Sequence, residues 1–206
     1  MTRKKENNLL LHADILNILY EHRRFVAKIY RDIMGFYNIS HIGLSIVNPA
    51  HELVVFSTTP NIEYNLISNQ LWTQDCCFNP SIGQSNKFSW WGDNTSNLSD
   101  NQQNHLNKIK LLNNNFTLGM SIARNLQGFD LIYSFASKSK QPDLQAYYAT
   151  NLPRLIEIGD FFYKSMRPLY LPYSPSFEPP DVRALLSLVH QKHYLRLVVD
   201  NESCHV

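Results

Sequence analysis

The residue types best suited to chemistry are concentrated in "DCCFNPSIGQSNKFSWWGD", residues 75–93, where Asp75, Cys76 and Cys77 precede the adjacent Trp90 and Trp91. An acid beside two thiols is the donor set of a thiol or soft-metal centre. An acid facing tryptophans is instead the lining of a pocket for a flat, largely apolar ligand, because a buried carboxylate needs a donor and an aromatic wall offers a large apolar area. The flanking sequence supplies neither a cation nor a helix N-terminus to activate a thiolate. Adjacent cysteines do not bridge easily and no CxxC is present, so the thiols read as reduced, small core residues. Asp75 and Trp90 are therefore the candidate pocket residues; in the competing structural reading, Asp75 caps a turn and the tryptophans fill the core. Successive side chains of an extended segment point to opposite faces, so only one of Trp90 and Trp91 can face inward.

Elsewhere the chemistry is thin. Eight histidines are scattered; His190 and His193 are three apart and share a helix face, but no carboxylate or cysteine completes a metal set there. There is no GxSxG, HExxH or metal-binding Cys/His frame, and the 7 glycines are not clustered as a phosphate loop requires. The expectation is a non-enzyme without metal or cofactor.

The elements that must position these residues follow from periodicity. Ile15, Ile18, Leu19, Val26, Ile29, Tyr30 and Ile33 form a helical stripe that ends before Gly35. "YNISHIGLSIV" and "HELVVFST", separated by "NPA", read as an antiparallel hairpin. Residues 61–73 form a helix started by Pro60. Leu98, Leu106, Ile109 and Leu112 mark a further helix with Ser99 as its N-cap. "FTLGMSIAR" and "FDLIYSFAS" make a second hairpin through "NLQG". A long helix over 143–166 is kinked or divided at Pro153. After the proline-rich "RPLYLPYSPSFEPP", "DVRALLSLVHQKHYLRLVV" reads as a final amphipathic helix. This order of helices and paired strands predicts an α+β fold, an antiparallel sheet flanked by helices in a GAF/PAS-like α-β-α sandwich, over residues 1–166, with 167–206 as connector and terminal helix.

At 206 residues and 44% hydrophobic content, one sizeable core is expected. Nineteen basic and 17 acidic residues are interspersed, which excludes the basic stripe of a nucleic-acid binder. No stretch spans a bilayer and no secretory signal is visible, so no membrane insertion and a cytoplasmic location are expected.

In this order and spacing, Asp75, "FSWWGD" with Trp90, "FTLGMSI" with Gly119 and "GFDLIYSFAS" resemble the autoinducer-binding (signal-binding) domain of the LuxR family of quorum-sensing regulators. The likeness covers roughly residues 15–166. It implies that Asp75 accepts a hydrogen bond from the amide of an acyl-homoserine-lactone-like ligand, with Trp90 and Phe88 as walls and Gly119 in the central strand. The family's upstream Trp and Tyr fall by spacing on Ile62 and Leu66, with Tyr64 and Trp72 close by as substitutes. The family's helix-turn-helix domain has no counterpart after residue 166, which implies a stand-alone and divergent form. Two functions follow as expectations. One is an adaptor or chaperone-like subunit of a regulatory or secretion complex, binding other protein subunits through Tyr170, Tyr173, Phe177, Leu185 and Val189. The other is a signal-binding regulatory domain for a small apolar ligand.

Overall fold

A computed structural model of the chain describes residues 9–79, 88–93 and 98–182. The proposed terminal helix beyond Val182, with Leu185, Val189, His190 and His193, lies outside the described residues, as does Cys204.

The expected first helix is two helices, α1 (Ile15–Glu21) and α2 (Arg23–Ile33), broken at His22. The predicted hairpin is β2 (His41–Val47) and β3 (Glu52–Ser57); its turn is held by Asn48 Oδ1, which accepts the Ala50 and Glu52 amides at 2.9 and 3.0 Å. A two-residue β1 (Leu10–Leu11), too short to leave a periodic signal, adds parallel to β3. Helix α3 (Pro60–Ser68) stops five residues before its expected end, and a 3-10 turn, Trp72–Gln74, leads into Asp75. Helix α4 (Asp100–Lys110) begins with a capping box between Ser99 and Gln102. Leu112, expected on its apolar stripe, is 70% exposed, because the helix ends at Lys110 and a separate 3-10 turn carries it outward. Strands β5 (Leu118–Leu126) and β6 (Phe129–Ser137) form the second hairpin. The positive φ of Gln127 and Gly128 gives the two-residue turn whose twist matches the paired strands. Pro153 divides the last pattern into α5 (Leu144–Thr150) and α6 (Leu152–Tyr170), in whose first turn it stands.

With β4 (Phe88–Trp90), the strands form one six-stranded sheet in the order β1-β3-β2-β6-β5-β4, antiparallel except at β1. The architecture is an α+β sandwich. One face buries Ile42, Leu44, Ile46, Met120, Ile122, Tyr133 and Phe135 against α2, α5 and α6. The other carries Val47, Leu53, Val55 and Ala136 against α3, α4 and the 71–78 segment. Helix α1 spans the edge, with Ile18 in the first core and Ile15 and Leu19 in the second.

Beyond α6 the chain turns back onto its own body. Tyr163 donates to the Pro180 carbonyl at 2.7 Å, Arg167 donates to the Pro179 carbonyl at 3.0 and 3.1 Å, and Val182 is buried in the first core. No described helix is long and apolar enough to cross a membrane.

Candidate functional site

The strands that present large apolar residues to one face present small or polar ones to the other. By the period-2 alternation, β2 offers His41, Gly43 and Ser45, β5 offers Gly119 and Ser121, and β6 offers Ser134 and Ala136. Small side chains leave room above the sheet, and that room is filled by charged and aromatic groups from the opposite layer. Trp91 lies flat on Gly119: a Cβ there would stand 2.2 Å from Trp91 Cε3, so the stacking requires glycine. The indole nitrogen donates to Ser121 Oγ at 3.1 Å, and Ser121 in turn bonds Ser134 at 3.2 Å.

Asp75 and Lys110 meet in this layer, both buried. Lys110 Nζ donates to Asp75 Oδ1 at 3.0 Å and Oδ2 at 2.7 Å, approaches Cys76 Sγ at 3.7 Å, and stands 4.4 Å above the Trp91 ring. Burial alone would lower the lysine's proton affinity, but Asp75 and the two thiols hold it above its ordinary value. Asp75 Oδ1 also accepts the Cys77 amide at 2.7 Å, so the carboxylate closes a tight turn over 75–79 whose Cys77 carbonyl accepts from Ser45 Oγ at 2.6 Å. Ligand atoms of Asp75, Cys76 and Cys77 lie within 4.8 Å of one another, a spacing that suits a cation. The Lys110 ammonium is the cation that meets this carboxylate, so the cluster is an ion pair with two thiols beside it.

Next to it are two groups whose polar atoms are not matched. His41 Nδ1 lies 3.0 Å from Thr59 Oγ1 and 3.3 Å from Thr58 Oγ1, whereas its buried Nε2 has no partner in the structure. Glu63, turned inward from α3, has its buried Oε2 likewise unpartnered. Both groups pack closely over Gly43: a Cβ at that glycine would stand 3.3 Å from His41 Nε2 and 3.4 Å from Glu63 Oε1, so the two side chains fill the room it leaves. Burial, with the Lys110 charge, draws His41 down to about 3, so it is neutral at pH 7. Burial pushes Glu63 up to about 8 against opposing hydrogen bonds from Ser57 and its own backbone, so its carboxyl is largely protonated. The pair is a neutral donor and acceptor set packed over one glycine.

No protein-family model and no curated protein matches the chain. Solved structures do. SdiA in complex with octanoyl-rac-glycerol aligns at 14% identity with a TM-score of 0.49, over 70% of this chain and 65% of that one. A crystal structure of Escherichia coli SdiA aligns at 12% identity with a TM-score of 0.48, over 70% and 67%. The chain thus spans about two thirds of the length of these neighbours. Likeness at this level concerns the arrangement of elements and leaves the chemistry to the residues of this chain.

The structure separates those residues. Asp75 and Gly119 lie within the polar layer, and Trp72 packs at its apolar margin. Trp90 and Phe88 pack together at 5.5 Å on the opposite, apolar face, and Trp91 is the ring beneath Lys110, the partner of Asp75. Alternation along β4 decides this, since Trp90 pairs with Met120 and shares its side of the sheet. Tyr64 is 41% exposed and packs edge-on against Tyr20, away from Asp75. The aliphatic Ile62 and Leu66 are buried in the second core. Of the tail aromatics, Tyr170 is fully buried, Phe177 packs against the first core, and Tyr173 bonds His22 at 3.0 Å. The expectation that Tyr170 faces a partner needs correcting, since it is closed off, while Tyr173 and Phe177 are half-buried and engaged in part with the chain's own body.

Lys110, His41 and Glu63 were not anticipated from the sequence. Two had a readable signal. Lys110 is four residues beyond Leu106, on the buried stripe of α4, and Glu63 sits beside Ile62 and three residues before Leu66 on that of α3. A charge on an apolar stripe announces a buried partner.

Proposed function

We propose that the chain is a non-catalytic binding domain that holds a small, uncharged ligand between the sheet and the α3–α4 layer, and that acts as a signal-responsive regulator. The observation that carries this reading is the convergence of His41 Nε2 and Glu63 over Gly43, both buried and each with an unpartnered polar atom; the site is closed as it stands, and binding displaces the side chains packed there. Leaving such atoms unmet costs about 1–3 kcal/mol each, a cost that a bound molecule pairing with them would remove. In this proposal the ligand's polar head meets Glu63 and His41, and its apolar body lies toward Trp91, Phe116 and Trp72. Asp75 fixes the floor through Lys110 and the 75–79 turn. The ordered motifs that resemble LuxR-type signal-binding domains support the same reading. The adaptor role draws no support from the described tail, whose aromatic residues pack on the domain itself.

Native mass spectrometry of the gently purified full chain tests it. The expected result is a bound mass released by organic extraction, with retention reduced about tenfold or more by Glu63→Leu, the loss that one charge-free hydrogen bond in a buried site produces, and reduced less by Glu63→Gln, which keeps a neutral donor and acceptor. A wild-type protein that releases nothing, and whose His41 and Glu63 prove to be bridged by water alone, would overturn it.

A further inference from the structure

The thiols of the 75–79 turn take no part in that reading, yet their surroundings are unusual for core cysteines. Cys76 is half-buried and Cys77 buried, and both sulfurs address the same hydroxyl, Ser121 Oγ, at 3.7 and 3.3 Å. The buried ammonium of Lys110 is 3.7 Å from Cys76 Sγ. The arrangement is asymmetric: the cation contacts one sulfur, and the other is the more deeply covered.

We propose that Cys76 and Cys77 form a peroxide-responsive dithiol, with Cys76 as the nucleophile and Cys77 as the resolving thiol. The reactive species is a thiolate, which a neighbouring cation favours and an apolar surrounding disfavours. A hydrogen bond from Cys77, aided by Lys110 and opposed by burial, holds Cys76 below the ordinary thiol range, whereas burial pushes Cys77 well above it. In the first step the Cys76 thiolate attacks one oxygen of a hydroperoxide. The O–O bond breaks, the other oxygen leaves as water or alcohol with a solvent proton, and Cys76 becomes a sulfenic acid. In the second, the Cys77 sulfur attacks the Cys76 sulfur. The S–S bond forms, the S–O bond breaks, and water departs with the Cys77 proton. The dithiol gives up two electrons and the hydroperoxide gains them. Adjacent Cα atoms stand about 3.8 Å apart across a trans peptide, closer than unstrained disulfides prefer, so the product is readily reduced, as a reversible switch requires. Closure pulls on the turn in which the Cys77 amide holds Asp75 and the Cys77 carbonyl holds Ser45. Oxidation would thereby loosen the floor of the polar layer. The dithiol chemistry stands whether or not a ligand occupies that layer.

The experiment uses the full chain carrying Cys204→Ser, treated with hydrogen peroxide and read by maleimide labelling, dimedone trapping and intact mass. Both thiols are expected to become unlabelled together, with the loss of two hydrogens reversed by dithiothreitol. Cys77→Ser should stop at a dimedone-reactive Cys76, and Cys76→Ser should give neither product. Because Lys110→Met alone strands a buried carboxylate, the Asp75→Asn/Lys110→Met double variant, shown by circular dichroism to be folded, tests the ion pair; losing Asp75 offsets part of the loss of the cation, so it should oxidise slower by less than about tenfold. The proposal is overturned if both thiols stay labelled under peroxide that oxidises glutathione. It is equally overturned if Cys76 goes on to sulfinic acid while Cys77 remains free, or if the double variant reacts at the unaltered rate.

Discussion

The two faces of one sheet solve the packing problem in opposite ways. Against α2, α5 and α6 the strands present Leu44, Ile46, Met120, Tyr133 and Phe135, and the helices answer with Tyr148, Phe162, Tyr163 and Tyr170. Against α3 and α4 the same strands present Gly43, Ser45, Gly119, Ser121 and Ser134, and the other layer answers with Glu63, Asp75 and Lys110. Large apolar side chains stabilise in proportion to the area they remove from water. Buried charges do not, since their desolvation consumes most of what their attraction returns. A chain that keeps a second, polar core beneath the first has given up stability there, and such departures from the local rules are where function is to be sought.

The sharpest way to break the comparison is to remove one large group from each face. Phe162→Ala leaves a cavity in the apolar core and should cost about 3–5 kcal/mol in urea unfolding. Lys110→Met leaves Asp75 charged, buried and unpaired, and should cost a similar ~3–5 kcal/mol. The faces differ in what restores them. Adding Asp75→Asn to Lys110→Met removes the stranded charge while its side-chain oxygen still accepts the Cys77 amide. That double variant should recover most of the loss, whereas no such single change refills the space under Phe162. Equal lasting losses in the Lys110→Met single and the double variants would mean that the polar face is held by packing, like its counterpart.

Each face also has one glycine beneath an aromatic ring. A Cβ on Gly159 of α6 would stand 2.1 Å from Tyr133 Cδ2, and one on Gly119 would stand 2.2 Å from Trp91 Cε3. Neither distance can persist, so the ring must move. Tyr133 is further tied by its hydroxyl, 2.7 Å from Asp160 Oδ1, an oxygen that also pairs with Arg124. Gly159→Ala should therefore reach about 3 kcal/mol or more, the upper part of the usual overpacking range. Gly119→Ala should cost about as much and also carry Trp91 off Lys110, which near-ultraviolet circular dichroism would register as a changed tryptophan band. An unaltered tryptophan band in a folded Gly119→Ala protein would show that the ring is not pinned.

Much of the apolar face is legible in the sequence and much of the polar face is not, for a physical reason. The stripes Ile15–Ile33 and Leu144–Met166 and the two hairpins follow from periodicity, which reports the face that buries large side chains. The interruption at His22 depends on local backbone geometry and the periodicity runs through it, whereas the division at Asn151 is announced by Pro153. The polar layer is assembled from residues 41, 63, 75, 91 and 110, each on a different element, and no short-range pattern connects them. The choice between Trp90 and Trp91 turned on the register of a three-residue strand, which only its pairing with β5 decides. Gly43, Ser45, Gly119, Ser121 and Ser134 did carry a signal, small residues at period 2 inside long β-rich runs. That pattern marks a sheet face on which something other than aliphatic side chains must rest.

The gentlest probe of the polar face is pH. Glu63 titrates at about 8 in the folded chain against an ordinary 4.5, so the native state holds a proton that the unfolded state has lost, and stability falls as pH rises through that interval. His41 titrates at about 3 against 6.5, so the unfolded state holds the extra proton, and stability falls as pH drops through that interval. Between pH 4.5 and 6.5 the two effects cancel, since each state then holds one proton on this pair. Above 6.5 Glu63 acts alone within the pair, and at about 1.4 kcal/mol per pH unit it should remove about 2 kcal/mol by pH 8. Cys76, whose value is lowered, works in the opposite direction as pH rises, so the informative quantity is the difference between wild type and Glu63→Gln. That difference should shift in favour of the variant by about 2 kcal/mol between pH 6.5 and 8, seen as a relative gain of about 4–8 °C in Tm. Parallel Tm curves for the two proteins across this range would mean that Glu63 is ionised and solvated in the folded chain, and the polar face would then be an open surface, not a second core.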